Sequence, residues 1–296
     1  MSSTRRASLL AVFAHPDDEI FCGGILSSLS ERGARVTLAC ATSGEAGKAH
    51  PSIGGVADLG TLRAEELRVS CARLGIEPPV MLSFHDSGRH ERLRRDDPRA
   101  LMNADMLAVE AAIRNVIVEV KPHVIITFDP HGSYYHHDHV AVHRAATAAF
   151  WSAGMMGDDA PARLVYGILT VDAFRKFADA SRGRGFVDDL DPDVFGAAPS
   201  TVAYSFDARP YRDRKLAAMA AHRSAFGLTL EMLRNSPPPV EAMLRAFRQA
   251  FEREDFLLAG TRGAVPHWPL LDLFDAIPAA GLADRTFCQD PAGALR

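Results

Sequence analysis

The chain has 296 residues, 47% of them hydrophobic, which supports a sizeable core and excludes intrinsic disorder. Its formal net charge of -4 and its intermixed acidic and basic residues exclude a polyanion-binding surface, so the expected partner is a small molecule and not nucleic acid. Four cysteines without C-x-x-C spacing read as free thiols in a reducing, cytoplasmic compartment, and the apolar stretch of about seven residues after the basic start is too short for a signal peptide or a membrane span.

The run Leu9-Leu10-Ala11-Val12-Phe13-Ala14 predicts a buried strand over residues 8–14. Helical periodicity over 19–32 stops at Gly33, and a second strand is expected over 35–42. A Gly-rich loop, 43–60, leads to a helix over 62–74 closed by Gly75. A short apolar strand, 80–84, then gives way to a charged loop, 86–99. Residues 101–120 read as a helix, with Pro122 just beyond it, and 123–128 as the next strand, followed by a helix over 137–152. Strands over 164–170 and 201–206 and helices over 211–226 and 240–253 complete the pattern, with an acidic, Gly- and Pro-containing loop over 180–200. Alternating strands and helices predict an α/β fold of Rossmann-like type, a mostly parallel sheet with helices on both faces. We expect one domain, with a core over about 8–150 and a C-terminal elaboration over about 160–296. An oligomeric state is not fixed, and a homo-oligomer is compatible with this reading.

Two polar clusters fall where such sheets place ligands, just past the C-terminal ends of strands. His15-Pro16-Asp17-Asp18-Glu19 follows the first strand, and Asp129-Pro130-His131-Gly132-Ser133-Tyr134-Tyr135-His136-His137-Asp138-His139 follows the 123–128 run. A hydrolytic metal site needs about three imidazole or carboxylate ligands and an open position for water. His15, Asp18 and His139 supply that set, because residues three apart in a turn can face the same way. Asp17 then points elsewhere and is free to act as a base.

The residues also carry a resemblance. Ala14-His15-Pro16-Asp17-Asp18-Glu19 is similar to the signature of the LmbE-like, or PIG-L, family of zinc-dependent de-N-acetylases. His136-His137-Asp138-His139 resembles that family's second motif, usually His-Pro-Asp-His. Ser43-Gly44-Glu45-Ala46-Gly47, Arg63-Ala64-Glu65-Glu66-Leu67 and Asp86-Ser87-Gly88 fit the family's order, and residues 215–222 look like its C-terminal helix. The resemblance implies one Zn²⁺, or Fe²⁺ or another divalent ion, on His15, Asp18 and His139. Asp17 would deprotonate the attacking water, His136 would stabilise the oxyanion or protonate the leaving amine, and Tyr134 would lie at the substrate carbonyl. Asp138 would orient a histidine, and Arg63, Asp86 and Glu45 would contact the substrate. The implied activity is removal of an N-acyl group, foremost N-acetyl, from a glucosamine-containing small molecule or glycoconjugate. Alternatives are a thiol-conjugate amidase, a deacylase of a specialised metabolite, and an inactive metal- or sugar-binding module.

Readings from other classes fail in detail. Ser43-Gly44-Glu45-Ala46-Gly47-Lys48 lacks the first Gly and the final Ser/Thr of a phosphate loop. A non-haem iron oxygenase would carry His-x-Asp on an all-β framework, whereas this chain has His-x-x-Asp on a βαβ pattern.

Overall fold

The computed structural model describes residues 5–181, 189–235, 241, 244, 245, 247 and 252–283. β1 (Ser8–Phe13) is buried at every position, as a strand covered on both faces by helices must be. It pairs in parallel with β2 (Arg35–Thr42) on one side and with β4 (Val124–Phe128) on the other. β3 (Val80–Phe84) lies outside β2, and β5 (Arg163–Ile168) extends the sheet beyond β4. The order is β3-β2-β1-β4-β5-β7-β6, where β6 is Tyr204–Asp207 and β7 is Arg253–Thr261. β7 runs antiparallel between β5 and β6. The chain winds outward from β1 through β2 to β3 and resumes on the other side with β4. The β1/β4 seam is therefore the point where strand order reverses, the place where open α/β sheets bind ligands.

The helices are α1 (Gly23–Glu31), α2 (Leu59–Leu74), α3 (Met106–Val120), α4 (a single turn, Gly132–Tyr135) and α5 (His137–Ser152). α6 (Val171–Ser181), α7 (Pro192–Phe195), α8 (Arg212–Met219), α9 (Arg223–Phe226) and α10 (Leu230–Asn235) follow. Capping sets several boundaries. Asp58 accepts from Thr61 N at the start of α2, Asp105 accepts from Leu107 N at the start of α3, and Gly75 ends α2 in the left-handed conformation.

The structure departs from the sequence reading mainly in the second half. The expected 19–32 helix opens as a 3-10 turn over Asp18–Cys22 before α1 begins. The expected 211–226 helix is broken into α8 and α9. Of the expected 240–253 helix, residues 241, 244, 245 and 247 are helical, the intervening ones lie outside the described residues, and Arg253 opens β7. The expected 180–200 loop receives the end of α6 and contains α7, while residues 182–188 lie outside the described residues. No helix among the described residues is long and apolar enough to cross a membrane.

Candidate metal centre and active site

Residues from the loops after β1, β3 and β4 meet at the sheet's C-terminal edge. Leaving β1, the backbone turns sharply. Asp18 Oδ2 accepts from His15 N at 2.7 Å, and Asp17 sits at φ 103°, a left-handed conformation strained for a side chain of its kind. This turn buries Asp18 against His15 and His139 and places both Asp17 and Asp18 on the cavity wall. After β4, Asp129 Oδ1 accepts from Ser133 N and Gly132 adopts φ 58°. A Cβ on Gly132 would lie 2.5 Å from His139 Cβ, so only glycine lets α5 approach the turn this closely.

The nitrogens of His15 and His139 can be assigned. His139 Nδ1 lies 3.0 Å from the Gly132 carbonyl oxygen and so donates to it, leaving a lone pair on Nε2. His15 Nε2 lies 3.1 Å from Asp138 Oδ2 and 3.5 Å from Asp86 Oδ1, which leaves a lone pair on Nδ1. These two lone-pair atoms face each other at 3.1 Å. Asp18 stands beside both through different oxygens, with Oδ1 at 3.3 Å from His139 Nε2 and Oδ2 at 3.5 Å from His15 Nδ1. Ligands about 2.0–2.2 Å from a tetrahedral ion stand roughly 3.3–3.5 Å apart, the scale of these separations, and nitrogens of His15, His136 and His139 also lie within 4.8 Å of one another, so the cluster could hold a divalent cation. Without a cation a protonated His15 Nδ1 can donate to His139 Nε2 and Asp18, and a bound cation would take that proton's place.

The surroundings reinforce this polarity. Asp138 is fully buried and accepts from Ser87 N at 2.9 Å and from Ser87 Oγ, while its Oδ2 holds His15 from behind. A carboxylate behind a ligating imidazole fixes the ring and raises its basicity. Burial works against a charge on His15, but hydrogen bonds to Asp138, Asp18 and Asp86 outweigh it and hold its pKa well above the usual value. Burial likewise opposes the Asp18 carboxylate, yet the adjacent His139 keeps it far below the ordinary range. Asp17 behaves oppositely: burial, and next the charge on Asp18, push it up to about 6.

His136 accepts from Asp138 N through Nδ1 at 3.2 Å, capping α5. Its Nε2 therefore carries the proton, and the ring lines the cavity, 4.6 Å edge-on from the His15 ring. One His136 nitrogen also comes within 4.8 Å of those of His15 and His139. Tyr134 lines the same cavity, with its hydroxyl 3.5 Å from His139 Nε2. His137 is exposed and turned away from this group. His143 is held by the Phe128 carbonyl oxygen at 2.9 Å.

The cavity holds about 310 Å³, at the lower end of the range for small-molecule sites. Ala46, Gly47 and Lys48 from the expected Gly-rich loop border it, with Arg63 and Asp86. Arg63 Nη1 donates to the Gly44 carbonyl oxygen at 3.0 Å, and Asp86 accepts from Ala46 N and Gly88 N. Glu45, expected to contact the substrate, is not among the residues lining this cavity; its carboxylate accepts from Ser43 Oγ, Asp86 N and Arg94 Nη1, so it braces the loop carrying Asp86. Sequence reasoning also missed the cations Arg89 and Arg92 and an apolar wall of Phe21, Phe177, Phe226 and Phe247. Only proximity in the fold distinguishes these residues from ordinary surface and core positions.

A fold that gathers such ligands around an open cavity defines a divalent-metal-dependent hydrolase. The chain belongs to the PIG-L family: the family described as "PIG-L: GlcNAc-PI de-N-acetylase" matches residues 10–150. It is 32% identical over 305 residues to a 1D-myo-inositol 2-acetamido-2-deoxy-alpha-D-glucopyranoside deacetylase of Thermomonospora curvata, covering 94% of this chain and 99% of the relative. The fold is similar to that of N,N'-diacetylchitobiose deacetylase from Pyrococcus horikoshii, at 19% identity and TM-score 0.54, over 85% of this chain and 83% of that one. A 4-carboxy-2-hydroxymuconate hydratase from Pseudomonas putida shares it equally, at 18% identity and TM-score 0.54, over 88% of this chain and 99% of that one. The architecture alone therefore does not choose the reaction, and the site must.

Proposed function

We propose that the protein removes the N-acetyl group of a glucosamine-containing small molecule with one Zn²⁺ per chain, held by His15, Asp18 and His139. The observation that carries this reading is the meeting of His15 Nδ1, His139 Nε2 and the Asp18 carboxylate at separations of 3.1–3.5 Å, with Asp17 on the wall of the same cavity. A zinc ion there would lower the pKa of a water to about 7 and polarise the acyl oxygen. Asp17, raised toward neutrality by its burial, takes the proton of the attacking water. His136, with its proton on Nε2, donates to the oxyanion and then to the departing amine. Tyr134 meets the acyl carbonyl beside His139, while Arg63 and Asp86, which line the same cavity, hold sugar hydroxyls. The Thermomonospora curvata relative is named for an N-acetylglucosaminyl-inositol, which supports an amino-sugar substrate. The free, buried thiols of Cys22, Cys40 and Cys71 suit a reducing cytoplasmic setting.

The test is a panel of N-acyl glucosaminides incubated with zinc-supplemented protein, with liberated amine as the readout. Release from at least one N-acetyl member, abolished by chelation and restored by zinc, is expected. Folded protein with stoichiometric zinc that releases amine from none of them overturns the reading.

A further inference from the structure

We propose that Glu19 is a positioning residue for Asp17, fixed in turn by His222 and Ser70, so that the C-terminal half of the chain sets the aim of the base. This rests on the assignment of Asp17 as the base. Asp17 has a backbone conformation that a non-glycine residue holds only when its surroundings over-determine it. Its own side chain makes no capping hydrogen bond. Beside the backbone bond from Ile20 N to the Asp17 carbonyl oxygen at 3.3 Å, the side-chain hold comes from Glu19 Oε2, which accepts from Asp17 N at 3.0 Å.

Glu19 has no solvent exposure, so its carboxylate must be satisfied within the protein. Oε1 accepts from His222 Nε2 at 2.7 Å and from Ser70 Oγ at 2.5 Å. Ser70 lies on α2, and His222 stands just before α9, some 200 residues from the motif loop. The His222 segment is anchored in its turn: Glu66 Oε1 and Oε2 accept from Ser224 N and Ser224 Oγ. The same carboxylate thus joins three distant parts of the chain at the peptide that aims Asp17. Neither Glu19 nor Ser70 lines the cavity, so neither acts on substrate directly.

Both Glu19 oxygens accept from donors in the folded protein. In Glu19→Gln the amide NH2 meets either Asp17 N–H, which can only donate, or His222 and Ser70, which can accept from it only after a change of tautomer and a turn of the hydroxyl, so the hold on the Asp17 peptide is disturbed either way. With N-acetylglucosamine as probe and zinc-loaded protein, Glu19→Gln is expected to lower kcat about tenfold to a hundredfold, the scale of a small misplacement of a reacting group. KM and bound zinc should stay within about twofold of wild type. Because Glu19 acts through Asp17, Asp17→Asn with Glu19→Gln should be no slower than Asp17→Asn alone. His222→Gln, which keeps a donor, should retain more of kcat than His222→Leu.

Wild-type kcat in folded Glu19→Gln, or losses that multiply in the double variant, overturn the inference. Should Glu19→Gln fail to fold, Ser70→Ala carries the same test: a few-fold loss of kcat that vanishes in the Asp17→Asn background supports it, and an equal loss in both backgrounds overturns it. Asp17→Asn at the wild-type rate is a different result, which overturns the base assignment itself.

Discussion

Asp17 and Asp18 are adjacent and chemically alike, yet the fold gives them opposite environments. Asp18 is locked to His15 N and faces His139, which stabilises its charge, while Asp17 is desolvated beside that charge and pushed up to about 6. Asp17→Asn is therefore expected to keep stoichiometric metal and to lose about a hundredfold or more in kcat, and Asp18→Asn to lose metal first. Elemental analysis beside turnover separates them, and excess zinc should rescue only Asp18→Asn. Metal lost from Asp17→Asn and retained in Asp18→Asn would reverse the two roles. Gly132→Ala displaces a ligand without replacing it. Its Cβ collides with His139 Cβ, so His139 must shift and zinc affinity should fall; unchanged affinity by competition with a chromophoric chelator would show that the turn yields instead. At this scale the spacing His15-x-x-Asp18 and the Asp138-His139 pair were legible, because local turns dictate which way such residues face. Glu45, Ser87 and Glu19 were not. Their partners stand 41, 51 and 203 residues away at Asp86, Asp138 and His222, and no local pattern encodes those meetings.

Among the elements, apolar strands bounded by Gly and Pro were readable, whereas β7 was not. Its opening, Arg253-Glu254-Asp255, looks like exposed helix, yet Glu254 is buried because it caps Gly24 N and Ile25 N of α1 at 2.8 Å and pairs with the buried Lys215 of α8. The charges are internal because two helices and a strand satisfy them together, a condition visible only after folding. The β1/β4 seam makes a pH prediction remote from the metal. His123, just before β4, accepts from Ser8 N through Nδ1, and burial followed by the charge of Arg5 lowers its pKa to about 4. The folded state thus keeps this ring neutral, while the unfolded chain protonates it near pH 6.5. Its contribution is complete above about pH 6.5 and is lost as pH falls toward 4. His123→Gln does not titrate, so the excess in urea midpoint of wild type over this variant should shrink between pH 7.5 and 4.5. A constant difference would remove His123 from the pH dependence of stability.

For the molecule as a whole, function depends on a seam that is remote in sequence and central in space. His15 leaves β1 and His139 rides on α5 after β4, 124 residues apart, and they face each other because these strands are neighbours at the reversal of strand order. That much followed from two His/Asp clusters after two apolar strands. The antiparallel extension through β7 and β6 did not, since nothing local fixes where a late strand inserts. A metal at the seam would bind the folded state only, the unfolded chain having no preformed ligand set, and so should stabilise by RT ln(1 + [L]/Kd), about 2.7 kcal/mol at a hundredfold excess over Kd. For a chain of this size that is on the order of 4 °C in Tm. Thermal unfolding followed by circular dichroism should therefore show a drop in Tm on chelation and recovery with zinc. His139→Ala should start near the chelated value and respond to neither treatment, whereas Asp17→Asn should respond as wild type does. A chelator-induced shift of equal size in His139→Ala would mean that the stabilising ion sits elsewhere, and this ligand set would have to be abandoned as its site.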